Sequence, residues 1–160
     1  MSSNPYSAPQ ASLQVQAEAS PPIWNPGAAT AWSLLFTPIF GAWVHMKNWE
    51  ALGKPKEAAT AQRWLIGNVL FLVVLIGLTM WMPQSSAVGF LGRFGGFIVL
   101  MVWYAMSGKD QIEFVTYGYG KQYVRRGWGK PIAYGILAYI VLFFVAAIFG
   151  IILAAAAGKI

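Results

Sequence analysis

Few side chains in this sequence have the type and spacing that chemistry needs. His45 is the only histidine, and it sits two residues before Lys47 with no acid inside an apolar run to partner it. A lone imidazole makes neither a metal site nor a proton relay, so His45 reads as a structural residue near a membrane interface. Asp110 and Glu113 lie three apart and would share one face of a helix. Paired carboxylates can move protons or hold a cation. Here they follow Lys109 and have further basic residues nearby, which fits a solvated, charge-balanced helix start. Glu50 and Glu57 read the same way. There is no Cys, which removes disulfides and thiolate ligands. Gly92-Arg93-Phe94-Gly95-Gly96 lacks the Gly-Lys-Ser/Thr ending of a phosphate loop. The expectation is a protein that is not an enzyme and carries no cofactor and no metal.

The remaining candidates are polar and small residues inside apolar runs. Asn68 and Thr79 lie in one such run. With His45 they could line a pathway, or each could make an interhelical hydrogen bond worth about 1 kcal/mol. Pumps and exchangers normally place an ionisable group inside a span, and the absence of one here weighs against that class. Ala146, Gly150, Ala154 and Gly158 recur every four residues, and Gly92 and Gly96 form a second such pair. Small residues at this spacing let two helix backbones approach closely. Two readings stay open: packing inside one bundle, or a surface for a partner, including a second copy of the chain.

The elements that must position these residues follow from composition. Hydrophobic residues make up 58% of the 160 and charged residues 10%, against about 25% charged in soluble domains. The expectation is an all-α, polytopic membrane helical bundle in one domain, residues 28–160, after a disordered tail at 1–27. The uncharged runs suggest four transmembrane helices at about 28–46, 64–82, 87–107 and 132–157. The first run is the weakest, because Thr30, Ser33, Thr37 and Pro38 interrupt it. Pro38 removes a backbone donor and bends a helix, and Thr37 is a candidate to cover the freed carbonyl. An alternative therefore keeps three spans and makes 28–46 a re-entrant segment with a cytoplasmic N-terminus.

Charge predicts orientation. Nine of the eleven Lys and Arg lie in the loops 47–63 and 109–131, and basic loops stay cytoplasmic. This placement also explains the net charge of +6 without a nucleic-acid partner. In the second loop, Ile112, Val115, Tyr119 and Tyr123 could line one face of a surface helix. Lys121, Arg125, Arg126 and Lys130, with Trp128, suit contact with anionic lipid headgroups or ordinary anchoring at the bilayer surface.

Asn4-Pro5-Tyr6-Ser7-Ala8-Pro9 resembles the Asn-Pro-Tyr-x-Ala-Pro opening of many small bacterial inner-membrane proteins, and the block Trp32–Gly53 looks like one found in bacterial membrane proteins. The resemblance implies the inner membrane and no particular activity. The leading functional expectation is a non-catalytic protein that packs its helices against a membrane partner, such as an immunity protein that neutralises a membrane-inserting toxin. The alternative is an oligomeric small transporter or channel subunit.

Overall fold

The computed structural model of the protein describes residues 21–156 and 158. The Asn4–Pro9 motif, most of the expected tail and Lys159 lie outside the described residues. The chain is an all-α membrane helical bundle of α1 (Pro26–Ala51), α2 (Pro55–Trp81), α3 (Ser86–Trp103), α4 (Lys109–Tyr119) and α5 (Gly129–Ala156), with a π-helical turn, Tyr104–Gly108, joining α3 to α4. Four helical stretches are long and apolar enough to cross a membrane: α1, α2, the continuous Ser86–Tyr119, and α5. They begin or end several residues beyond the uncharged runs, because helix caps and basic side chains extend each helix into the interface.

The first of these stretches is not straight. Phe36 (φ −101°, ψ 16°) and Thr37 (φ 69°, ψ 162°) leave helical geometry. The chain reverses there, so that the Pro26 carbonyl accepts a hydrogen bond from His45 Nε2 at 3.2 Å, 19 residues along. In a straight helix those residues would be about 28 Å apart. Ala29 packs with Phe40 and Val44, and Trp24 stacks 6.0 Å from Trp43. α1 is therefore a helical hairpin with arms 26–35 and 38–51. At 1.5 Å per residue the arms reach about 15 and 21 Å, short of the ~30 Å hydrocarbon layer. The all-α four-helix architecture expected from the sequence is present, with its first helix folded back on itself at Phe36 and Thr37. Pro38 does more than bend the helix. The carbonyl that Pro38 leaves without its helical donor is that of Leu34; among the described residues no hydrogen bond from Thr37 covers it, and the neighbouring Leu35 carbonyl accepts from the Tyr139 hydroxyl of α5.

Close approach in the hairpin depends on small residues. A Cβ at Gly41 would collide with the Ser33 hydroxyl of the opposite arm and lie 2.6 Å from the Trp103 ring. Two other glycines likewise receive aromatic rings. Gly95 of α3 meets Phe71 of α2, and Gly135 of α5 meets Phe36 at the hairpin tip. The second arm is covered by α2 and α3, where Ala42, Leu100 and Trp103 pack with Trp64 and Leu65.

The expected boundary at residue 27 also moves. Ile23 is buried with Val115 and Tyr123. Its N–H donates to the Val124 carbonyl at 3.1 Å, and its own carbonyl accepts from Arg126 N–H at 2.8 Å. At the same end, Trp49 packs with Ala58, Ala61 and Phe114. Both basic loops and the start of the described chain thus lie together at one end of the molecule.

Thr37 occupies a backbone region that is essentially reserved for glycine and costs about 1–3 kcal/mol. Thr37→Gly should raise stability in detergent by about 1 kcal/mol, after the ~0.5–1 kcal/mol entropic cost of glycine. Thr37→Ala should bring no gain. A thermal melt of the two variants checks this, and equal melting temperatures would remove the argument for strain.

Candidate functional site

The polar residues of the core converge beneath the hairpin. The row Trp103, Ser107, Gln111 and Val115 is buried. A spacing of four drifts around an ideal helix by roughly 40° per step. The π turn between Tyr104 and Gly108 is wider, with i→i+5 bonding, and absorbs that drift. It keeps all four side chains facing the hairpin.

Asn48 is the centre of the arrangement. Its Oδ1 accepts from Trp24 N–H at 2.9 Å, and its Nδ2 donates to the Trp24 carbonyl at 2.8 Å. The same Nδ2 donates to Gln111 Oε1 at 3.0 Å. Gln111 Nε2 in turn donates to the His45 carbonyl at 2.8 Å. One amide therefore ties the entry strand to the second arm, and a second amide ties that arm to α4. Asn48 and Gln111 are both fully buried, where unmet polar groups are costly and met ones specify a single arrangement.

His45 lies in this seam as an interior residue, and the interfacial placement expected for it is not observed: it is 1% exposed. A carbonyl can only accept, so the contact with Pro26 assigns the proton to Nε2 and leaves Nδ1 of the neutral ring as an acceptor. Nδ1 has no partner among the described residues, and neither has the Trp103 Nε1 donor. The two rings meet edge to face with centroids 5.1 Å apart.

The other predicted residues are not part of this cluster. Asn68 is buried in α2 with neither amide atom partnered. Thr79 is exposed and donates to the Ile76 carbonyl of its own helix at 2.7 Å. Gly92 and Gly96 have open space where a Cβ would stand, as does Gly150; Gly95 makes the helix contact in that part of α3. Ala146 and Gly150 are exposed and Ala154 is half-buried, so that stripe is not intramolecular packing. Lys121, Arg125 and Lys130 are exposed and Arg126 is half-buried. Asp110 and Glu113 are exposed on α4. Asn48, Gln111 and Trp103 were not singled out from the sequence. The available signal was the spacing of four from Trp103 to Val115 across polar residues.

Asn48→Leu would strand the Trp24 peptide groups and the Gln111 carbonyl oxygen, each at about 1–3 kcal/mol. It should lower the melting temperature sharply and open the 21–25 segment to proteolysis, whereas Thr79→Val should leave both unchanged. No protein-family model matches this chain, and no curated protein or solved structure matches it either.

Proposed function

We propose that the protein is a small multi-pass protein of the bacterial inner membrane that acts without catalysis, by presenting its last helix to another membrane component. The observation that carries this reading is how α5 is held. Its first three turns are docked: Pro131 is buried, Tyr134 meets Trp43 edge to face at 5.9 Å, Gly135 receives Phe36, and Tyr139 bonds Leu35. Beyond residue 140 the described side chains are exposed almost throughout, with Phe143 at 69% and Ile151 at 60%. A span with most of its length clear of its own bundle has either lipid or a partner beside it. The stripe Ala146–Gly150–Ala154 lies on that free part and would let a partner's backbone approach. A membrane-inserting toxin, neutralised by such contact, is the most specific form of this reading.

One observation favours the second reading, a transporter or channel subunit. Broken helices at membrane depth often border a transport path, and Asn68 is buried near the hairpin's packing partners Trp64 and Leu65 with its amide unmet. Substrate flux in proteoliposomes that is lost on Asn68→Leu would favour it over the first.

The orientation proposed here puts the basic end in the cytoplasm. With α1 folded back, the chain would cross three times and the start of α1 would share that side. After Pro22→Cys, Gln122→Cys or Ser86→Cys, only Ser86→Cys should react with an impermeant thiol reagent applied from outside. External labelling of Pro22→Cys would return a four-crossing arrangement. For the functional reading, Gly150→Leu should leave the thermal melt of the purified protein unchanged, because no described residue lies within 4 Å of where its Cβ would stand, and should abolish protection or partner co-purification. A lowered melting temperature with the partner still bound would count against it.

A further inference from the structure

The second basic loop is built more firmly than an anchoring loop requires. Residues 120–128 have little regular structure, yet they are clamped on both sides of Arg125 by the pairing of Ile23 with Val124 and Arg126. Arg126 lies over the Trp24 ring, 4.9 Å from its centroid, and Arg125 lies 5.4 Å over the Tyr123 ring. Trp24 is itself held rigidly. Its backbone is bonded on both sides by Asn48, and its indole N–H donates to the Gly127 carbonyl at 2.9 Å. Stacking occupies the faces of a guanidinium and leaves its in-plane N–H donors available. No carboxylate takes them: among the described residues the one ion pair is Lys47–Glu50. After Glu113 the sequence contains no further acid, while Lys121 and Lys130 add charge to the same loop.

Two neighbouring guanidinium forks without an acid, one over Tyr123 and one over Trp24, are donors of the kind a phosphate recognises, through paired N–H···O bonds. Their setting indicates what carries the phosphate. Below the arginines runs a wall of rings: Trp24 against Trp43 at 6.0 Å, Trp128 against Phe40 at 6.5 Å, and Trp128 against Trp32 at 6.4 Å. Trp belongs at the headgroup level of a bilayer. Leu34 and Leu35, exposed by about two thirds, continue the apolar surface toward the hairpin tip. We propose that Arg125 and Arg126 form a binding site for the phosphate of one anionic phospholipid, with its acyl chain along the aromatic wall between the hairpin and α5. The proposal assumes the basic end at the membrane surface, but its test does not use orientation.

The full chain is purified in a mild detergent and analysed by native mass spectrometry. Phosphatidylglycerol or phosphatidylcholine with identical acyl chains is added in equal amounts. Phosphatidylglycerol should be retained roughly tenfold better on a single site. The double variant Arg125→Gln/Arg126→Gln should lose that preference. The variant Lys54→Gln/Lys56→Gln, with the same charge change in the other basic loop, should keep it. If the double arginine variant melts early, Arg125→Gln alone, which leaves the Arg126–Trp24 stack intact, should still lose at least threefold. Equal retention of the two lipids overturns the proposal, as does an equal loss in the lysine variant, which would mean diffuse charge. Displacement of the lipid by millimolar inorganic phosphate would overturn it in favour of a soluble anion. Retention of an acidic peptide in place of lipid would overturn it in favour of a protein partner.

Discussion

A chain that breaks a helix and turns back inside its own bundle must satisfy the peptide groups freed at the break, and each one left buried and unmet costs about 1–3 kcal/mol. The architecture here depends on meeting that constraint at the two ends of one hairpin. At the open end, Asn48 acts as a peptide would and takes both polar groups of Trp24. At the tip, where the helix is interrupted at Phe36 and Thr37, a tyrosine from the last helix bonds the carbonyl of Leu35. The remaining packing follows from where these two links place the arms. α2 and α3 cover the second arm, and α5 closes over the tip.

The same economy appears in the three glycine contacts. Gly41, Gly95 and Gly135 each admit an aromatic ring from another segment. Aromatic rings bury large areas, so a glycine paired with a ring brings backbones close without leaving a void. These isolated pairs play the part that the sequence reading assigned to periodic small residues. The periodic stripe on α5 is left over, and its being left over is what gives the partner reading its support.

The long aliphatic helices were legible because an uncharged run of about 20 residues has few alternatives. The joining of both basic loops at one end was legible through charge alone. The reversal in α1 was legible only as an alternative, since Pro38 inside an uncharged run is compatible with either a bend or a turn. The contacts that decide it, Trp24 with Asn48 and Pro26 with His45, are tertiary. Gln111 falls in the basic stretch 109–131, and nothing local announces that a π turn carries the third helix through it and buries that side chain. Gly41 gave no signal because its neighbour Trp103 lies far along the chain. The composition around Ile23 suggests a disordered tail, and its bridge to residues 124–126 lies too far along the chain to show in that composition.

The hairpin also has a consequence for biogenesis. α1 precedes in the chain most of what holds it: Trp103 and Gln111 on the continuous stretch Ser86–Tyr119, Val124 and Arg126 in the loop after it, and Tyr139 in α5. Each arm alone is too short to cross a bilayer, so an early α1 has no reason to insert by itself. α1 is thus held largely by segments that follow it in the chain, and a truncated chain lacking α5 would leave its tip without the Tyr139 bond.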